Sequence, residues 1–211
     1  MVKPKKDNLE SMTVGAVHDF INKLFPEDFE SAVEEFSKIE HPGWVRSELH
    51  IDREFQTWYM LKHKVSGIAA PIELASTYPF EYFTEEEKNI IDNFFQWRES
   101  FFEIKNILNN KRDYLVLDLT TGQEYTVETI KLDKPLKVGD VLCSIIIRKL
   151  NGNFFFYGNI GIYTSESAKE IKKEIKKVGT VPPPGIWIKF ISIDWKGLYG
   201  GKKKIPKVKR D

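Results

Sequence analysis

Two hairpin signals within residues 114–163 constrain the fold of this chain more than any other feature of its sequence. One is the TTG turn at Thr120–Gly122 and the other is the NGN turn at Asn151–Asn153; each lies between runs of β-branched and aromatic residues. A Val-Gly-Asp corner at Val138–Asp140 separates them. With a first strand opening near Phe101, the pattern predicts five short antiparallel strands. Such strands fit a small closed or half-closed barrel, SH3-like or OB-like, better than an open sheet, because closure removes exposed edges.

The segments on either side of the barrel have a helical period. Thr84 with Glu87 three residues later is a capping-box signal, and the apolar stripe that follows predicts a helix from about Glu85 to Trp97. Ser167–Val178 predicts a lysine-rich amphipathic helix, and the prolines of Val181–Gly185 require an extended chain.

The predicted fold class is therefore α+β, in three parts. These are a helical region over residues 1–98, the small barrel over residues 99–165, and a basic helix, Pro-rich linker, strand and basic tail over residues 166–211.

The net charge of +1 conceals a strong asymmetry along the chain. Residues 7–110 carry 9 Lys or Arg against 20 Asp or Glu, whereas residues 167–211 carry 13 against 4. Such a basic end is typical of an interaction segment, often one that contacts nucleic acid. The alternative is intramolecular, with the basic end lying on the acidic half.

Composition and motifs exclude or weaken several other classes of protein. A single cysteine, Cys143, excludes an intramolecular disulfide and any multi-cysteine zinc site, and we expect it to be a buried structural thiol. No stretch approaches the roughly 18 apolar residues of a membrane-spanning helix, so we expect a cytoplasmic protein without membrane contact. The sequence contains no G-x-S-x-G, P-loop, G-x-G-x-x-G or H-E-x-x-H motif, which weakens the common hydrolase, nucleotide-binding and zinc-protease interpretations. No cofactor is expected.

Three segments at the junction of helices and barrel carry a resemblance. They are YFTEEEKNIIDNFFQWRESFFEI at Tyr82–Ile104, LTTGQEYTVE at Leu119–Glu128 and LKVGDVLCSIIIRKLNGNFFFYG at Leu136–Gly158. Together with FQTWYML and GIAAPIELA upstream, they resemble a family of uncharacterised prokaryotic proteins that often end in a SEC-C zinc motif. The resemblance implies a helical region joined to a small β-barrel and implies no activity. This chain departs from the family pattern because no cysteine cluster follows its barrel.

The basic end contains the only residues that favour a particular function. Its aromatic residues alternate with lysines, a composition that suits phosphate contact together with base stacking. We therefore expect a non-catalytic cytosolic binding module that contacts RNA or a ribonucleoprotein through its C-terminal segment. The predicted nucleic-acid-binding residues are Lys172, Lys173, Lys176, Lys177, Lys189, Lys202, Lys203, Lys204, Lys207, Lys209 and Arg210.

Two alternative functions stay open at the level of sequence. The first is a protein-interaction or self-assembly module with a partner on the acidic helical half. The second is a metal-dependent enzyme that uses Glu48, His50 and Asp52, which alternate at a period of two and would share one side of an extended segment. The same three residues also fit an exposed polar turn before a helix, with Asp52 as its N-cap.

Overall fold

The computed structural model describes residues 9–39, 53–78, 82–108, 113–128, 136–163 and 165–178. Within these residues the α+β class is confirmed, since five helices precede five strands and a sixth helix follows them. The helices are α1 Leu9–Leu24, α2 Asp28–Ile39, α3 Arg53–Leu61, α4 Pro71–Thr77, α5 Glu85–Phe95 and α6 Ser165–Val178. The strands are β1 Arg98–Leu108, β2 Asp113–Asp118, β3 Glu124–Glu128, β4 Val141–Arg148 and β5 Phe154–Tyr163.

Two of the predicted features can be compared directly with these bounds. The predicted capping box is present, because Thr84 Oγ1 accepts the Glu87 N–H at 3.3 Å and Glu87 Oε2 accepts the Thr84 N–H at 2.8 Å. The helix that it starts ends at Phe95, two residues earlier than predicted. The predicted C-terminal strand and basic tail lie outside the described residues. None of the helices that can be described is long and apolar enough to cross a bilayer.

The five strands pair in the order β1-β2-β3-β5-β4, and β4 pairs again with β1, so that the sheet closes into a barrel. Strand β1 is long enough to pair with both β2 and β4, and a bulge between Ile104 and Asn106 bends it. Four of the pairings are antiparallel, but β3 and β5 run parallel where Val127 is opposite Phe154. The prediction of an all-antiparallel sheet is therefore wrong at this pair. The reason is the strand order. Strand β4 pairs antiparallel with the edge of β1 that β2 does not occupy. Strand β5 runs antiparallel to β4, so it lies beside β3 in the same direction as β3.

Alternation along the strands gives the barrel an interior and a helix-covered outer face. Phe102, Val116 and Ile146 point into the interior and belong to its buried cluster. Ile145 and Ile147 point outward from β4 into the largest cluster of the protein, which they share with α1 to α5. The helical region and the barrel are thus packed on a common apolar core.

Gly158 marks the closest approach between β5 and α3. Its φ is +77°, and a Cβ at this position would lie 2.3 Å from Thr57 Oγ1. The Thr57 hydroxyl itself donates to the Arg53 carbonyl at 2.7 Å, which holds it in place. Only glycine suits both the backbone conformation and the space at this junction.

Candidate nucleic-acid interface

Helix α6 places lysines on a surface that faces away from the barrel. Its apolar side buries Ala168, Ile171 and Ile175 against a cluster that includes Phe101 and Tyr163. Four lysines lie on the opposite side and are exposed, and together we call them the lysine face. They are Lys169, Lys173, Lys176 and Lys177.

The predicted binding residues on α6 are not equivalent. Lys172 is turned toward the barrel, where its Nζ lies 2.8 Å from Glu103 Oε1 on β1. Lys177 lies 2.8 Å from Glu174 within the helix, so part of its charge is already balanced. Lys173 and Lys176 are exposed, and Lys169, which is not among the predicted binding residues, lies on the same face.

The remaining predicted residues are not covered by the structure. Lys189, Lys202, Lys203, Lys204, Lys207, Lys209 and Arg210 lie outside the described residues, and so do Glu48, His50 and Asp52. Their roles stay predictions. Among the side chains that are described, no group of three or more His, Cys, Asp or Glu is arranged to hold a metal ion.

A cation and two aromatic rings meet at one end of the barrel, at the starts of β1, β3 and β5. The Arg98 guanidinium lies 5.9 Å from the ring centre of Tyr125, and the rings of Tyr125 and Phe154 meet edge to face at 4.9 Å. All three side chains are half-buried. We call these three residues the barrel-end cluster. Burial raises the pKa of Tyr125, with the Arg98 charge opposing the shift, so its hydroxyl stays protonated and donates to Gln123 Oε1 at 2.7 Å.

Asp118 at the end of β2 fixes the position of Arg98. Its carboxylate is fully buried and lies 3.3 Å from Arg98 Nη1. It also accepts hydrogen bonds from Ser100 Oγ at 2.6 Å and from Thr120 Oγ1 at 2.7 Å. Burial by itself raises the pKa of Asp118, but the hydrogen bonds from Ser100, Thr120 and Thr121 outweigh it and lower the pKa. The carboxylate therefore stays ionised and holds the guanidinium beside the Tyr125 ring.

Acidic residues limit where an anion can approach the barrel. Glu128 on β3 binds Lys149 Nζ at 2.8 Å, and it also accepts from Asn151 and Asn153 of the NGN turn. Asp113 and Glu124 lie on the same outer side of β2 and β3, where the burial pattern alternates with the interior residues. The carboxylates on this outer side oppose the approach of a phosphate.

Arg98 begins β1, and Glu103, the partner of Lys172, lies five residues later. Successive side chains of a strand alternate, so these two point to opposite sides of β1. Cys143, next to the α6 contact, is a partly buried free thiol, and burial followed by the Glu99 charge raises its pKa well above the ordinary value.

The barrel-end cluster was not predicted from sequence. Arg98, Tyr125 and Phe154 come from three strands, and no local pattern connects them.

A search of protein-family models finds no match for this chain, and searches of curated proteins and of solved structures find none either.

Proposed function

We propose that this protein is a non-catalytic nucleic-acid-binding module that contacts single-stranded RNA, alone or within a ribonucleoprotein. The observation that carries the proposal is the lysine face of α6, a set of exposed cations on a helix whose other side is anchored by buried apolar residues. An anchored helix loses little conformational freedom on binding, so its lysines contact phosphates at a lower entropic cost than those of a free segment. The basic residues that follow α6 in sequence extend the positive charge.

The order of the strands supports an OB-like rather than an SH3-like barrel. Strands β1 to β3 are sequential neighbours, β5 then lies beside β3, and β4 returns to β1, which is a closed Greek-key arrangement. Barrels of the OB type bind oligonucleotides through strands 2 and 3 and the adjoining loops. In this chain the outer side of these two strands carries carboxylates. The rings offered to a base lie instead in the barrel-end cluster, at Tyr125 and Phe154, with the Arg98 cation beside them. A base stacked on such a ring contributes about 1–3 kcal/mol.

The test is a binding titration of a labelled single-stranded RNA of about 12 nucleotides, followed by fluorescence anisotropy between about 50 and 200 mM salt. If the six basic residues after Gly201 each neutralise one phosphate, they contribute about −4 to the slope of log K against log salt. Truncation at Gly201 should therefore flatten the salt dependence. Equal affinity and equal salt dependence before and after truncation would exclude a contribution of the tail to RNA binding. Affinity of the whole protein that does not depend on salt would exclude the proposal.

A protein-interaction module is the second candidate, and the surface of α2 favours it. Exposed carboxylates follow one side of this helix, at Glu30, Glu34 and Glu35, with Glu27 just before it. A basic partner, or the basic end of a second copy, would complement this side. Light scattering without nucleic acid tests the self-assembly form of this candidate, which predicts that the mass rises with protein concentration alone.

A further inference from the structure

A cleft of about 830 Å³ lies in the helical region, between the α1–α2 connection and the residues that follow α3. Its volume is within the range of roughly 300–1,000 Å³ that is usual for small-molecule sites. Carboxylates and an aromatic ring dominate its chemistry, at Asp28, Glu35 and Trp58, with Glu27 and Lys64 on the rim. No residue of the lysine face or the barrel-end cluster lines it, so it is separate from the proposed nucleic-acid interface.

His63 is the buried polar residue in the wall of this cleft, only 5% exposed. Its Nε2 lies 3.1 Å from Asp28 Oδ2, and the other oxygen of Asp28 accepts the Ser66 N–H at 3.0 Å. Because a carboxylate only accepts, Nε2 carries the hydrogen of this bond. The second ring nitrogen, Nδ1, is buried and finds no hydrogen-bond partner among the described residues. In the neutral ring Nδ1 is thus an unsatisfied acceptor.

A second acceptor lies beside this nitrogen. Glu35 Oε2 is 3.2 Å from His63 Nδ1, but the contact lacks the geometry of a hydrogen bond. The Glu35 side chain is half-exposed, so its carboxylate is accessible from the cleft. With a neutral His63 ring, these two acceptors have no hydrogen between them, and an N–H group that enters the cleft would satisfy both.

The charges around the cleft select a cation. Lys62 is already bound to Glu99 at 2.6 Å and lies over the Trp97 ring, so it does not balance the carboxylates of the cleft. The lining contains three carboxylates, Glu27, Asp28 and Glu35, and two exposed lysines, Lys62 and Lys64, of which Lys62 has its carboxylate partner outside the cleft. The half-buried ring of Trp58 adds an aromatic wall, which favours a cation further.

We propose that this cleft binds a primary ammonium or guanidinium group, which donates N–H to His63 Nδ1 and to Glu35, with Trp58 beside it. The same chemistry is offered by a free amine and by a lysine or arginine side chain of a peptide. The proposal is independent of nucleic-acid binding, so either one is able to fail without the other.

The experiment titrates the full chain with agmatine, which carries one guanidinium and one ammonium group. Calorimetry measures affinity, and nitrogen NMR of labelled histidine follows both ring nitrogens of His63. Nα-acetyl-lysine N-methylamide serves as the peptide-like probe, and its affinity relative to agmatine identifies the source. n-Butanol and butyrate are the neutral and anionic controls.

The matched variants are Glu35→Gln in the cleft and Glu86→Gln, the same change at an exposed position of α5. We expect saturable binding of a cationic probe, a shift of the Nδ1 signal, and affinity about tenfold weaker in E35Q but unchanged in E86Q. Three results would each overturn the proposal. The first is that neither cationic probe binds. The second is that n-butanol binds as tightly as the cationic probes, or that E35Q binds them as tightly as the unchanged protein does. The third is that the His63 ring carries hydrogen on both nitrogens in the absence of any ligand.

Discussion

Asp118 in the barrel and Asp28 in the helical region are two buried aspartates with different surroundings. Around Asp118, Ser100, Thr120 and Arg98 supply a complete set of donors. Around Asp28, His63 and Ser66 donate, but His63 Nδ1 lacks a hydrogen-bond partner among the described residues, and the Tyr59 hydroxyl lies beside Asp28 without meeting hydrogen-bond geometry. Burial, then the charge of Asp28 and the contact with its carboxylate, raises the pKa of Tyr59, so its hydroxyl remains neutral.

The difference separates a structural group from a binding group. An unsatisfied buried polar group costs stability, so a complete set of partners indicates a role in holding the fold. Incomplete partners beside a cleft leave a place for a ligand that supplies what is missing. On this basis the Asp118 group holds the β2–β3 turn and positions Arg98, and we propose the Asp28–His63 group as a binding site.

The largest expected effect is that of Asp118→Ala. This change removes a buried charge and leaves the hydroxyls of Ser100 and Thr120 and the Arg98 guanidinium without their acceptor, so we expect the free energy of unfolding to fall by about 4 kcal/mol. Urea denaturation measures it. Asp92→Ala, at an exposed aspartate of α5, should change the same quantity by less than about 0.5 kcal/mol. Equal losses in the free energy of unfolding would mean that the buried, hydrogen-bonded Asp118 stabilises the fold no more than the exposed Asp92.

Gly158→Ala tests whether the two regions that contain these aspartates share one core. Its methyl group would overlap Thr57 and would require an unfavourable positive φ, so we expect a loss of about 3 kcal/mol in the free energy of unfolding. Gly15→Ala is the matched control, because Gly15 lies within α1 with no atom near its missing Cβ. It should stabilise the protein by about 0.5–1 kcal/mol. A harmless Gly158→Ala would mean that β5 and α3 do not pack closely.

A pair of single-hydroxyl deletions sharpens the comparison directly. Ser100→Ala removes a hydroxyl that donates to Asp118 at 2.6 Å, and we expect it to lower the free energy of unfolding by about 1.5 kcal/mol. Tyr59→Phe removes a buried hydroxyl that lies beside Asp28 without hydrogen-bond geometry, so we expect a smaller change, below about 0.5 kcal/mol. Thermal and urea unfolding of both variants provide the measurement. A larger loss for Tyr59→Phe than for Ser100→Ala would reverse the assignment of the two groups.

The smallest effect concerns the partly exposed carboxylate of Glu128. Burial opposes the shift, but hydrogen bonds from Lys149, Asn153 and Asn151 lower the pKa of Glu128 from 4.5 to about 2. A lowered pKa means that the carboxylate stabilises the fold above pH 4.5 and that this contribution is lost as the pH falls through about 2. Glu128→Gln should therefore reduce the acid dependence of stability in this window, with an effect below about 1 kcal/mol at neutral pH. Glu124→Gln, at an exposed position of the same strand, should leave the acid dependence of stability unchanged.

The elements that could be predicted from sequence are those specified by neighbouring residues. The TTG and NGN turns fix two hairpin positions, and the Thr84–Glu87 capping box fixes the start of α5, because each signal lies within a few residues. The 3.6-residue period of α6 predicts a lysine-rich helix with one apolar side, but it does not predict that Lys172 turns to Glu103 while Lys169 stays exposed. The parallel pairing of Val127 with Phe154 could not be predicted, since it depends on where β4 returns to the sheet.

The chemistry of both candidate sites also depends on distant residues. Asp28 and His63 are 35 positions apart, and from sequence Asp28 is only a favourable residue at a helix start. Arg98 and Tyr125 come from different strands, and their contact exists only in the closed barrel. Sequence periodicity predicts which side of an element is buried, but it does not predict which polar groups meet across elements.

The central claim is that the lysine face of α6 contacts phosphates, and the salt dependence of RNA binding tests it most directly. Lys173→Gln with Lys176→Gln removes two exposed charges without altering the buried side of the helix. Lys23→Gln with Lys88→Gln removes two charges from the helical region as the control. If both α6 lysines contact phosphates of a single strand, the slope of log K against log salt becomes shallower by about 1.4 in the first variant and is unchanged in the second. An unchanged slope in the α6 variant, or the same change in both variants, would contradict the claim.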